Sequence, residues 1–258
     1  MPITESFDAG SDEVIKAGDL VAPLDGCPSV AIAPFDAATL RVLADTYPVA
    51  PSEVFLQCAT GDTEVRVLTD RGERFAVYSA AVGAPVAVAH LEEVAALGVK
   101  AFVFFGACGV LDATIPAEDL VVPTSAYRDE GTSYHYAPAS DWIDVRTSER
   151  LQGWLTELDV PFVAGKVWTT DAFYRETRAV VDRRVAQGCV AVDMECSALA
   201  AAAQWRGVDV YQFFYAADNL DASQWDQRVL GRLADEARLE HARIALEIAH
   251  RAAAFQLG

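Results

Sequence analysis

Residues 189–219 read CVAVDMECSALAAAAQWRGVDVYQFFYAADN, and this stretch sets the fold class. Cys189–Asp193 is a short apolar run, Glu195–Arg206 is an Ala-rich helical pattern, and Val208–Ala217 is a second apolar run. The order is strand, helix, strand. Neither run alternates cleanly with polar residues, which is the pattern of strands covered on both faces. Outward from here the alternation repeats. Ser29–Ala33, Glu64–Leu68, Phe75–Ala81, Ala101–Phe105, Leu120–Pro123 and Phe162–Thr169 are predicted strands. Ala37–Thr46, Pro85–Leu97, Ser148–Leu158 and Arg178–Ala186 are predicted helices, and a long helix is expected over Asp226–Ala254. Asp70–Gly72 reads as a hairpin turn. Residues 1–27, with Gly10, Gly18, Pro23 and Gly26, read as an irregular lead-in to one α/β domain over 28–258.

Composition narrows the function. The chain has 258 residues, 52% of them hydrophobic, and a formal net charge of −18. Such a surface repels phosphate backbones and anionic membranes, and no basic patch offsets it, so neither nucleic acid nor membrane is an expected partner. Cys27, Cys58, Cys108, Cys189 and Cys196 are scattered, with no zinc spacing, so no metal is expected. The amino terminus lacks the pattern of a signal peptide, and the longest apolar candidate, Val192–Trp205, contains Asp193 and Glu195. A cytoplasmic protein is the expectation.

In α/β sheets, ligands bind beyond the carboxyl ends of the strands. Phe105 is followed by Gly106-Ala107-Cys108-Gly109, read as a small-residue turn that lets a flat ligand approach the backbone. Val192 is followed by Asp193-Met194-Glu195, Tyr215 by Ala216-Ala217-Asp218-Asn219, and Thr169 by Thr170-Asp171-Ala172-Phe173-Tyr174. Each has an ordinary reading beside the functional one: an acid before a helix is a cap, Asp218 an Asx-turn, Phe173 and Tyr174 packing aromatics. Local spacing alone gives an α/β protein with an acidic cleft.

Taken together and in order, five segments resemble the nucleoside phosphorylase superfamily. They are GACG at 106–109, LVVPTSAYRDEGTSYHY at 120–136, TTDAFYRET at 169–177, VDMECSALAAA at 192–202 and FFYAADNLD at 213–221. The resemblance implies a single three-layer domain with a twisted mixed sheet flanked by helices. It implies a homo-oligomer, a dimer or a trimer of dimers, that cleaves the N-glycosidic bond of a nucleoside without metal or organic cofactor, phosphate serving where needed as co-substrate. By position, Glu195 resembles the carboxylate that accepts hydrogen bonds from the ribose hydroxyls, Met194 the residue under the sugar, and Asp193 the acid beside it. Cys108 and Gly109 resemble the backbone against the base and Phe173 the aromatic stacked on it. Asp218 resembles the acid that protonates the departing purine. The Gln-x-Arg pair of uridine-specific members is replaced by Thr177-Arg178-Ala179, which favours a purine-like base.

The chain departs from the family at the phosphate ligands. The Gly-Asp-Pro-x-Arg loop reads Ala33-Pro34-Phe35-Asp36, a second arginine is Phe104, and a hydroxyl residue is Ala107. A phosphate dianion held without countercharges costs several kcal/mol, and one lost charged hydrogen bond about 1.5–3 kcal/mol. Water is therefore favoured as acceptor. Arg128, Arg175 and Arg178 are the candidate anion ligands if phosphate is used, and a non-catalytic nucleoside-binding protein is the alternative of another class. The RDEG stretch at 128–131 and His135 read as a loop-ordering or interface network, and Trp225 as packing.

Overall fold

The computed structural model describes residues 2–222 and 224–256. Ten strands form one mixed sheet: β1 (Val30–Pro34), β2 (Val49–Leu56), β3 (Thr63–Asp70), β4 (Glu73–Val77), β5 (Ala101–Val110), β6 (Leu120–Asp129), β7 (Trp142–Asp144), β8 (Phe162–Thr170), β9 (Cys189–Asp193) and β10 (Asp209–Asn219). The helices are α1 (Ala17–Leu20), α2 (Ala37–Thr46), α3 (Ala84–Leu97), α4 (Ser148–Glu157), α5 (Arg178–Ala186), α6 (Cys196–Arg206) and α7 (Asp235–Gln256).

The sheet runs β10-β6-β8-β9-β5-β1-β4-β3-β2, with β7 beside β6, and β10 pairs with β5 as well. That extra pairing closes β5, β10, β6, β8 and β9 into a ring, while β1, β4, β3 and β2 extend from it as an open wing. Burial explains the layers. One apolar cluster packs Ile32, Val103, Phe105 and Phe213 under α2, α4 and α7. A second packs Ala31, Ala33, Phe102 and Phe104 under α3 and α6. Alternate residues of the same strands serve opposite faces, which is why their sequences are apolar throughout.

Several elements follow local chemistry closely. Asp36 caps α2, its Oδ1 accepting from the Ala38 N–H at 2.9 Å. The β3–β4 hairpin turns through Arg71 and Gly72, with φ of +49° and +80°, the geometry that matches strand twist. Others differ from expectation. The GACG segment is the distal part of β5, not a turn. Its glycines permit close packing: a Cβ on Gly106 would lie 2.9 Å from the Phe35 Cβ, and one on Gly109 would lie 2.5 Å from Leu220 Cδ1. The last helix begins at Asp235 rather than 226, because Arg228 and Gly231 adopt positive φ and Asn219 bridges to Asp226. Strand β4 ends at Val77, short of Ala81, and β2 and β7 had no counterpart in the sequence pattern.

Candidate active site

The carboxyl ends of β5, β8, β9 and β10 meet at one place. Gly109 lies opposite Asp218 on one side and Val192 on the other, and Asp193 lies opposite Thr169. A bulge in β10 between Ala216 and Asp218 brings Asp218, rather than Ala217, opposite Gly109. Within β5 every residue is buried except Ala107, which is open to solvent.

One end of the site is built around Glu195. Its backbone N–H and that of Cys196 donate to Asp193 Oδ2 at 2.8 and 2.6 Å, and Thr169 Oγ1 donates to Asp193 Oδ1 at 2.7 Å. Asp193 thus caps α6 and positions Glu195. Behind it, Ser197 N–H donates to Thr169 Oγ1 at 3.0 Å and Ser197 Oγ to Glu130 Oε1 at 2.9 Å, while the Ser133 N–H donates to Glu130 Oε2 at 2.9 Å. Glu195 itself accepts one backbone hydrogen bond, from Gly83 N–H at 2.6 Å. Burial, then the neighbouring Asp193 charge, raises its pKa well above the usual carboxylate range. Asp193 is also raised by burial, but its hydrogen-bond donors oppose the shift. Met194 is half-buried between two buried acids. Pro85 and Asp171, whose charge also bears on Glu195, line a groove of about 590 Å³ beneath the amino-terminal segment.

The other end holds Asp218, 8% exposed, whose Oδ2 accepts from the Trp225 indole N–H at 2.6 Å. Trp225 thus orients an acid rather than only packing. Oδ1 lies 3.2 Å from where a Gly109 Cβ would stand. Burial raises the Asp218 pKa, against the Trp225 hydrogen bond and the Arg228 charge. Cys108 joins the two ends: its buried thiol donates to the Tyr215 carbonyl at 3.6 Å, and after burial its pKa is raised by Asp193 and by Asp218. Phe173 is 49% exposed and packs against Tyr174 at 4.0 Å between ring centroids, an aromatic surface at the rim.

The three candidate anion ligands separate clearly. Arg128 is buried, with Nε donating to Ser133 Oγ at 2.8 Å and Nη1 to the Pro138 carbonyl at 2.7 Å, and its guanidinium lies over the Tyr134 ring. It orders the 128–140 segment and has no face for an anion. Arg178 donates to the Leu220 and Ala222 carbonyls at 2.8 and 2.7 Å, so it is a loop clamp. Arg175 is exposed on the turn beside Phe173. Where the family's phosphate ligands are expected, Phe35 presses on Gly106 and stacks on Phe104 at 5.7 Å, and Tyr78 meets Phe104 edge-on. Among the described residues, no group of three His, Cys, Asp or Glu side chains is arranged to hold a metal ion, and no helix is long and apolar enough to cross a membrane.

Local sequence missed two participants: Gly83 as a backbone donor, and Glu130, which accepts from Ser197 behind Asp193.

Comparison with known proteins fits this geometry. The family model described as the phosphorylase superfamily matches residues 29–252. The chain is 33% identical over 141 residues to a guanosine phosphorylase of Halorubrum lacusprofundi, covering 53% of this chain and 58% of that protein, less than two thirds of its length. It is 27% identical over 181 residues to a purine nucleoside phosphorylase DeoD-type of Bacillus cereus, covering 66% and 76%. A purine nucleoside phosphorylase DeoD-type of Aliivibrio fischeri is 26% identical over 191 residues, covering 70% and 77%.

Proposed function

The chain belongs to the phosphorylase superfamily, and from that premise we propose that it is an enzyme cleaving the N-glycosidic bond of a purine-type nucleoside, with water as the acceptor. The observation that supports this reading is that Asp218 and Asp193, the acid that holds the Glu195 backbone, lie to either side of Cys108 and Gly109.

Glu195 accepts hydrogen bonds from a vicinal diol. Its raised pKa means that the sugar hydroxyls, by donating to the charged form, bind together with loss of a proton from the carboxyl. Met194 supports the sugar, and the base lies between Cys108–Gly109 and Phe173. As the C1′–N bond stretches, its electron pair goes to the base and positive charge grows on the sugar. Asp218, held by Trp225, gives its proton to a base ring nitrogen. Water then adds to the sugar and releases a proton. Neither a metal nor an organic cofactor takes part.

The acceptor assignment rests on the apolar contacts of Phe35, Phe104 and Gly106 and on the pairing of the neighbouring Arg238 with Asp36, which leave a dianion poorly compensated there. A phosphate-dependent reaction is favoured instead by the names of the relatives and by the exposed Arg175. Incubating the protein with inosine, guanosine, adenosine and uridine, with and without phosphate, separates the two: free ribose supports water, ribose 1-phosphate supports phosphate. Absence of cleavage of every purine nucleoside would overturn the reading. A homo-oligomer, a dimer or a trimer of dimers, is part of the proposal and is checked by light scattering.

A further inference from the structure

A polar side chain stands buried and unpartnered near the start of β10. Tyr211, Phe213 and Tyr215 pack in the cluster under α2, α4 and α7. Strand alternation therefore turns Val210 and Gln212 to the other face, where Val210 packs with Ala203 of α6. Gln212 is 1% exposed, and its Nε2 has no hydrogen-bond partner among the described residues. Such a donor costs stability until something accepts from it. Beside it is a cavity of about 230 Å³, lined by Gln212 together with Val145, Ala200, Ala203, Val208 and Val210. Three other polar side chains of the lining are already engaged. Thr147 Oγ1 donates to the Val210 carbonyl, Gln204 Nε2 donates to the Asp144 carbonyl at 2.7 Å, and Asp209 Oδ2 accepts from Gln256 Nε2 at 2.9 Å. The cavity is separate from the nucleoside site. Gln212 precedes Asp218 by six residues of β10, about 20 Å of extended chain, and Gly207 of the lining follows Glu195 by twelve, about 18 Å of helix.

We propose that this cavity is a second binding site, for a compact, uncharged molecule with an amide or lactam group held by the Gln212 carboxamide. A carboxamide carries donor and acceptor side by side, so it pairs with the edge of another amide, giving an N–H to its oxygen and accepting one from its nitrogen. The aliphatic lining suits an apolar ring or short chain behind that edge. At about 30 Å³ per water, the space holds several waters or one ring-sized molecule. Charge disfavours ligands of either sign. An anion would meet the negative end of α6, whose last turn closes at Gly207, in a chain of net charge −18. Arg146, also in the lining, is exposed, so water screens its attraction. A cation would have Arg146 as its neighbour, and Asp209 is already paired with Arg150 at 3.6 Å.

The test uses probes of one shape and different charge, benzamide, benzoate and benzamidine, titrated into the full chain and followed by ligand-observed NMR. Benzamide should bind, and the two charged probes should bind about tenfold more weakly or worse. Gln212→Met keeps the side-chain length and offers no donor, so it should weaken benzamide about tenfold. Its Tm should stay level or rise, because an unpartnered buried amide has gone. Ala203→Leu, which fills the cavity from α6, should weaken benzamide likewise and gives the same reading if Gln212→Met does not fold. Phe173→Ala, at the rim of the nucleoside site, should leave benzamide affinity within about twofold. Unchanged affinity in folded Gln212→Met or Ala203→Leu overturns the inference, as does stronger binding of either charged probe. Loss of binding in Phe173→Ala would place the probe in the nucleoside site, and a wild type that does not bind benzamide would mean a cavity for water only; both overturn it. None of these readouts depends on nucleoside cleavage, so their failure leaves the proposed activity standing.

Discussion

Two neighbouring regions of the sheet are built from opposite materials. One side is polar and cross-braced: Glu130, Ser197, Thr169 and Asp193 form a buried hydrogen-bonded series that ends at the Glu195 backbone, and Asp218 is held by Trp225. The other side, Phe35, Phe104 and Tyr78, is a set of aromatic contacts with no charged group among them. The strands carrying the two sides are neighbours in one sheet, since β1 pairs with β5 along its whole length. The difference teaches that a sheet can keep a ligand site at one set of strand ends while exchanging the chemistry at the adjacent set, because side chains on a strand alter without moving its backbone.

The comparison is broken most severely at Asp218. Asp218→Asn keeps the shape and the Trp225 contact but removes the transferable proton, so kcat for inosine should fall by ~10²–10⁴-fold, measured by release of free base. A variant that keeps full activity would take the polar side out of the chemistry altogether. Glu195→Gln comes next. It leaves the acceptor for Gly83 N–H and weakens a charge-assisted contact with the diol, a change of about 1.5–3 kcal/mol, so kcat/KM for a ribonucleoside should fall by roughly 10–100-fold. A 2′,3′-dideoxynucleoside, which lacks the hydroxyls, should lose little; equal losses on both would separate Glu195 from the sugar.

The aromatic side is probed with a smaller expected change. If Phe35 and Phe104 exclude an anion, adding phosphate should alter the rate of inosine cleavage by less than about twofold, and Arg175→Ala should do no more. A phosphate requirement that disappears in Arg175→Ala would show that the anion site has moved to the rim instead of being lost.

Much of this was legible in sequence because the deciding residues are local to strand ends. Cys189–Asp193 and Arg178–Ala186 form as the pattern predicts, and the acids at 193, 195 and 218 fall where strands stop. What was illegible depended on partners distant in the chain. Arg128 and Arg178 read as anion ligands because an arginine in a motif advertises charge, while the carbonyls that occupy them belong to segments placed only by folding. GACG read as a turn because two glycines suggest flexibility; in the fold they answer close approach by Phe35 and Leu220. Strand β2 escaped notice because it is half-exposed and carries Pro51, so neither clean alternation nor an apolar run marks it.

The least disruptive contrast concerns stability, and its sign follows from burial. Burial raises the Glu195 pKa above its unfolded value near 4.5. A carboxyl raised in the folded state favours folding at low pH, and that contribution is lost as pH climbs through the folded-state value, because the charged form must then be kept in a desolvated place. Glu195→Gln cannot ionise, so it should match the wild type below about pH 4, where Glu195 is neutral both folded and unfolded, and exceed it increasingly as pH rises above the unfolded value. Each kcal/mol of that gap would appear as about 2–4 °C in Tm for a chain of this size, read by thermal unfolding across the pH series. The aromatic side offers no such lever, since Phe35 and Phe104 do not titrate. A variant of that side, Phe35→Leu, should shift Tm by the same amount at every pH. If instead Glu195→Gln moves Tm uniformly, the carboxyl is hydrated in the folded protein and the polar side is less closed than its hydrogen bonds imply.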